Sequence, residues 1–300
     1  MVTPMTPGGE IELAGLESLT EWFIAREVAG LFAVCQSSEM FLLSLSERVA
    51  LAECVVRRAG GRVGVIASGN TARDPEQQIE ELQAMAATGI DALVLVTNRF
   101  AAPEEPDAVW QNRIEHVLAK LPPRLPLGLY ECPHPYPRLL SLELLRWVSS
   151  LGRFSFLKDT SCDPQVQRER RTAVEGSALG LYNANSATLL SSLLDGYAGF
   201  SGVMANFHPE LYVWLCRHYR THPGEAVMLQ DFLGAASVFE RQLYPLNAKV
   251  QLVRRGVFRH SGARVTGEQT LGPAQLIELE QLTRLQERVA ALLPGLEVPT

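Results

Sequence analysis

Short apolar runs alternate with amphipathic helical segments along the first two thirds of the chain, and this alternation restricts the folds open to it. The strand-like runs lie at 30 to 35, 62 to 68, 91 to 97, 125 to 131, 153 to 158, 178 to 183 and 199 to 205. Helical period follows them, as at 46 to 59, 75 to 87, 106 to 121, 142 to 150 and 209 to 219. Runs that are apolar throughout belong to strands covered on both faces, and therefore to a parallel sheet with right-handed crossovers. With a stub at the N-terminus there are eight such units, which predicts a closed α/β barrel, (β/α)8, over 1 to 220 rather than an open doubly wound sheet. No Gly-x-Gly-x-x-Gly follows any run, so a dinucleotide-binding open sheet has little support. Beyond 221 the strand signals stop. Residues 224 to 242 and 272 to 293 read as long amphipathic helices, giving a C-terminal helical extension over 221 to 300.

The run at 153 to 158 ends in Lys158, one of three lysines, with Lys120 and Lys249, among 27 Lys and Arg. An amine can lose its proton when desolvated and attack a carbonyl, whereas a guanidinium stays charged. Two readings stand: a strand-end lysine that reaches solvent or pairs with Asp159, or a Schiff-base nucleophile whose ammonium form is disfavoured by apolar neighbours. In barrels of this kind the chemistry lies at the C-terminal ends of the strands. Those ends carry Cys35 to Glu39, Gly69 to Thr71, Thr97 to Phe100, Tyr130 to Pro133, Lys158 to Ser161, Asn183 to Asn185, and Ser201 with Gly202. Hydroxyls and amides dominate the set, and it has no His-x-His or His-Glu-x-x-His, so a metal site is not expected. Tyr130 ends a strand adjacent to that of Lys158 and offers a phenol for proton transfer.

A net charge of −6 and the lack of a basic cluster argue against nucleic acid and membrane partners. The apolar runs are too short for a transmembrane helix, and the first residues lack the features of a signal peptide. Five cysteines without paired spacing read as reduced thiols, which points to a cytoplasmic protein.

Several short motifs recur in a recognisable order: Val-Thr-Pro at 2 to 4, Gly-Glu-Ile at 9 to 11, Gly-Leu-Phe-Ala-Val at 30 to 34 and Ser-Ser-Glu at 37 to 39. Val-Ile-Ala-Ser-Gly at 65 to 69, Leu-Tyr at 129 and 130 with Pro133, Leu-Lys-Asp at 157 to 159 and Ala-Asn at 205 and 206 complete them. In this the chain resembles the pyruvate-dependent class I aldolases typified by dihydrodipicolinate synthase and N-acetylneuraminate lyase. The resemblance implies that Lys158 forms a Schiff base with a 2-oxo acid and that Tyr130 relays protons. The family's carboxylate-binding loop falls on Cys35 to Glu39, which makes Gln36, Ser37 and Ser38 substrate-binding residues. Glu131, Asn183, Ser201 and Gly202 join them as candidates at neighbouring strand ends. No cofactor is implied, since the lysine supplies the electron sink, and a homotetramer or homodimer is expected.

The chain also departs from the family. Arg99 and Phe100 stand where the synthase has a Tyr-Tyr pair, one member of which serves a neighbouring subunit. Pro135 stands where an Arg holds a second substrate carboxylate, and Arg138 lies three residues on. Glu131 and His134 are then candidates for substrate specificity or for a lost acid-base step. His208 reads as a turn residue, and the other histidines lie away from the strand ends.

The expected activity is that of a Schiff-base lyase, an aldolase or dehydratase, acting on pyruvate or a 2-keto-3-deoxy sugar acid rather than a true dihydrodipicolinate synthase. The alternative is a barrel without turnover that binds an oxo acid or sugar acid as a regulator. At the start, Val2 to Pro4 would end a first strand with almost nothing upstream to form it. A late start, a trimmed chain and a stunted strand all remain open.

Overall fold

Each strand is followed by a helix that carries the chain back across the sheet, so successive strands pair in parallel and in sequence order. In this computed structural model, which describes residues 1–298, seven strands curl into a (β/α)8-type barrel. They are β1 (Gly30–Val34), β2 (Gly64–Ser68), β3 (Ala92–Val96), β4 (Leu127–Tyr130), β5 (Phe154–Asp159), β6 (Gly180–Asn183) and β7 (Gly199–Phe200). Leu95, Leu129, Leu157 and Leu181 are buried beneath the outer helices. On the inner side, the Phe32 ring meets Tyr130 and Phe156 edge-on, and Phe156 packs on Tyr182. Side chains alternate along a strand, so residues on either side of these rings turn outward.

Four of the barrel helices begin on residues that cap them. Ser44 and Glu47 form a capping box at α2 (Leu45–Ala59), whose end is closed by Gly60 in the left-handed region. Asp74 caps α3 (Pro75–Ala86), Ser141 caps α5 (Leu142–Ser150) and Asp163 caps α6 (Pro164–Ala173). The remaining barrel helices are α1 (Leu13–Ala25), α4 (Asp107–Leu118), α7 (Leu189–Leu194) and α8 (Pro209–His218).

The eighth unit differs from expectation. Residues 1 to 5 make isolated bridges from Met5 to Ile11 and Ser261 but no strand. They are tethered instead by single bonds, Val2 N–H to Asn206 Oδ1 at 3.1 Å and Thr3 Oγ1 to the Ser38 carbonyl at 3.0 Å. The stub adds no strand to the sheet between β1 and β7. Among the described residues β1 and β7 are therefore not joined by a strand, and a cavity of about 260 Å³ opens between them.

The C-terminal part holds α9 (Pro223–Ala236), a 3-10 turn (Ser237–Arg241), α10 (Leu246–Arg254) and α11 (Pro273–Ala290). The expected helix over 224 to 242 thus changes to a 3-10 turn after Ala236. Helix α10 was not foreseen, because its buried face carries Asn247, Lys249 and Gln251 and so hides the apolar period. Among the described residues no helix is long and apolar enough to cross a membrane.

Candidate active site

Strand pairing sets the centre of the site. The ladder aligns Tyr130 with Lys158 and Lys158 with Tyr182, so three inward-facing residues stand level near the ends of β4, β5 and β6. Lys158 is 5% exposed, and its Nζ lies 4.7 Å from the Tyr130 ring centroid and 5.8 Å from that of Phe32. Among the described residues no carboxylate pairs with it. Burial pushes its pKa below the ordinary lysine value, against an opposing pull from Cys35, Cys132 and Glu240. Lys249 provides the contrast: equally buried, its Nζ bonds Glu39 Oε1 at 2.6 Å and the Gly262 carbonyl at 2.7 Å. Asp159, the alternative partner for Lys158, faces the other way. It accepts from the Tyr197 hydroxyl at 2.6 Å and lies 3.0 Å from Arg170 Nε.

The loop after β1 meets this centre from the opposite wall. Tyr130 donates its hydroxyl to Gln36 Oε1 at 3.3 Å, and burial raises the phenol's pKa well above its usual value. Ser37 is buried and lines the cavity that Lys158 reaches. Ser38 does not present its hydroxyl to that space: its Oγ donates to the Cys35 carbonyl at 2.7 Å and accepts from the Cys35 N–H at 2.9 Å, closing a tight turn. Ser201 and Gly202 also line the cavity. A Cβ on Gly202 would lie 2.2 Å from the Phe200 ring and 2.5 Å from the Ala184 carbonyl, so only glycine fits there.

Two candidates are corrected by the alternation of the strands. Glu131 follows an inward residue and turns outward, where it is fully buried against Arg170 Nη2 at 2.5 Å and the Leu140 N–H at 2.8 Å. Asn183 likewise bonds Thr188 and Ser192 and accepts from the Asn185 N–H, bracing the start of α7. Neither side chain lines the cavity.

The loop from 131 to 138 is built as a scaffold. Asn98 Nδ2 donates to the carbonyls of Cys132, His134 and Tyr136, and the Tyr136 hydroxyl returns to the carbonyls of Asn98 and Ala101. Arg138 bonds the carbonyls of Ala102 and Glu105 and the Asp107 carboxylate, so it does not take the place of the Arg absent at Pro135. His134 sits exposed at the rim against Phe41. Phe100 is core, edge-on to Trp110. Arg99 holds the Ala72 carbonyl.

Two groups escaped the sequence reading because they come from the C-terminal part. Tyr244 donates its hydroxyl to Ser37 Oγ at 2.7 Å. Glu240 has its pKa pushed up to about 7 by burial, with Lys158 and Arg241 pulling it down. No period or spacing marked either one. Their location after α9, across the mouth of the barrel, is set by tertiary contacts alone.

A family model described as the Dihydrodipicolinate synthetase family matches residues 1–260. A 4-hydroxy-tetrahydrodipicolinate synthase from Acidithiobacillus ferrooxidans is 28% identical over 265 residues, covering 87% of this chain and 82% of the relative. Among solved structures, the chloride-inhibited dihydrodipicolinate synthase from Acinetobacter baumannii complexed with pyruvate aligns with a TM-score of 0.84 at 23% identity, over 96% of this chain and 97% of that one. A prophage protein of the dihydrodipicolinic acid synthase family from E. coli K12, in complex with pyruvate, aligns at 0.85 with 21% identity, over 95% and 96% of the two chains. At those identities the structural likeness speaks for the fold.

Proposed function

The chain belongs to the dihydrodipicolinate synthetase family, and from that premise we propose that it is a Schiff-base-forming lyase acting on a 2-oxo acid. The observation that carries this reading is Lys158 itself: a buried amine with no carboxylate partner among the described residues, level with Tyr130 and open to a cavity. The neutral Nζ attacks the C2 ketone while the Tyr130 phenol protonates the ketone oxygen. The phenolate then takes a proton from the new ammonium and passes it to the carbinolamine hydroxyl, which leaves as water to give the protonated imine beside the phenolate. A phenol whose pKa is raised returns quickly to its protonated form, which suits a relay that must reset between steps. The imine draws electrons from C3, so a proton or an aldehyde fragment can leave there and the enamine can take one up.

Ser37, part of the cavity wall, is the residue we assign to hold the substrate carboxylate. For the second substrate, Pro135 and the engaged Arg138 offer no cation, and a buried carboxylate without one is costly. The fitting partner is a neutral, hydroxylated aldehyde, as in a 2-keto-3-deoxy sugar acid. Assembly as a homodimer or homotetramer goes with this reading and is read by light scattering.

Incubation with pyruvate followed by borohydride reduction is expected to add a reduced pyruvyl group to Lys158, located by peptide mass. Lys158→Ala should take up no label at that peptide. Adduct found on another lysine, or none with a panel of 2-oxo acids, would end the proposal.

A further inference from the structure

The bond between Tyr244 and Ser37 has a direction, and the direction is fixed from the far side. Asn206 Nδ2 donates to the Tyr244 oxygen at 3.0 Å and to the Val203 carbonyl at 2.9 Å, while its Oδ1 accepts from the Val2 N–H at 3.1 Å. A backbone acceptor on one end and a backbone donor on the other allow the amide a single orientation. The Tyr244 oxygen is therefore an acceptor toward Asn206, and its own proton goes to Ser37 Oγ at 2.7 Å. Ser37 thus accepts, and among the described residues its own hydrogen has no acceptor. That hydrogen belongs to a residue 4% exposed that lines the cavity reached by Lys158.

A hydroxyl in this state is committed to donate outward. Were the bond reversed, Ser37 would turn lone pairs to the cavity and repel an anion. Each bond in such a chain polarises the next, which strengthens the terminal donor. We propose that Asn206, Tyr244 and Ser37 form a one-way hydrogen-bond chain ending on the carboxylate of the bound 2-oxo acid, with Tyr244 as a positioning residue supplied by the chain's own C-terminal part. The identity of the ligand rests on the Schiff-base reading, whereas the polarity of the chain does not.

The test compares the parent with Tyr244→Phe, titrated calorimetrically with pyruvate and with its uncharged amide, pyruvamide. In the parent, pyruvate binds more tightly than the amide. In Tyr244→Phe the half-saturation for pyruvate rises about fivefold, as expected for losing the neutral bond that orients Ser37, while that for pyruvamide stays within about twofold. The borohydride trapping rate at saturating pyruvate also stays within about twofold. Because the two residues act in series, Tyr244→Phe adds nothing further in a Ser37→Ala background. Equal weakening toward both ligands, an unchanged pyruvate affinity, additive losses in the double variant, or failure of the parent to bind pyruvate would each overturn the chain. A parent that binds pyruvate reversibly without an adduct on Lys158 removes the lyase reading alone, and the pyruvate-to-pyruvamide ratio still decides the role of Tyr244.

Discussion

Glu240 and Lys158 influence each other's charge across the mouth of the barrel. Glu240 titrates at about 7, and its carboxylate form favours the ammonium form of Lys158. Raising the pH through neutrality therefore has two opposed effects on the amine: solvent hydroxide removes its proton, while the newly charged Glu240 helps retain it. In Glu240→Gln the second effect is gone and the amine's pKa falls further. The pH profile of borohydride trapping should then shift to lower pH, with the rate at pH 7 rising about twofold. A profile that stays in place, or moves to higher pH, would show that Glu240 does not act on Lys158. Of this pair only Lys158 was legible in the sequence, because a lone lysine at the end of an apolar run is conspicuous in a chain that otherwise uses arginine. Glu240 and Tyr244 had no such mark, since their role depends on where the chain returns more than 200 residues after the loop at 35 to 39.

At the scale of elements, the ends of β4 and β5 are held together from outside by α6. Tyr130 and Lys158 point inward, and the residues after them, Glu131 and Asp159, point outward to one guanidinium. Arg170 Nη2 lies 2.5 Å from Glu131 Oε1, its Nε 3.0 Å from Asp159 Oδ2, and its Nη1 3.2 Å from the Leu140 carbonyl. Burial pushes the Glu131 carboxyl up while Arg170 holds it down, so the guanidinium is what makes two adjacent buried carboxylates tolerable. Arg170→Met should cost roughly 3–5 kcal/mol, read as a lower urea midpoint, because it strands both acids. A loss below about 1 kcal/mol would mean that the network is not a structural clamp. The sequence held the signal that corrects Glu131: with Lys158 inward, its ladder partner Tyr130 is inward, and strict alternation sends the next residue out. The strands were legible as uninterrupted apolar runs, and five of the eight barrel helices as the helical period between them. Helix α10 was not, because its buried face is polar.

For the molecule as a whole, the barrel and its C-terminal part are joined by buried polar groups as well as by apolar packing. Lys249 and the Val265 N–H both hold Glu39 in the loop after β1, and Arg264 holds Glu47 on α2. His208, at the start of α8, lies at this joint: its ring stacks on Tyr212 and packs on Phe232 of α9, with Gln286 of α11 alongside. Burial pushes its pKa down to about 3, and the charge of Arg255 pushes in the same direction. The folded state therefore keeps this imidazole neutral. Its contribution to stability is present in full above the unfolded value of about 6.5 and is lost progressively as the pH falls from there toward 3. At pH 5 the loss is about 2 kcal/mol. Glu131 and Glu210, whose pKa values are raised mainly by burial, work in the opposite sense, since they bind protons more readily folded than unfolded. The two effects separate in His208→Phe, which keeps a flat ring between Tyr212 and Phe232 and removes only the titrating group. Between pH 7.5 and pH 5, the unfolding free energy of the parent should fall by about 2 kcal/mol more than that of the variant, measured by urea titration at both pH values. Parallel pH dependence in the two proteins would mean that the imidazole is not held neutral at the joint, and that acid sensitivity arises elsewhere in the molecule.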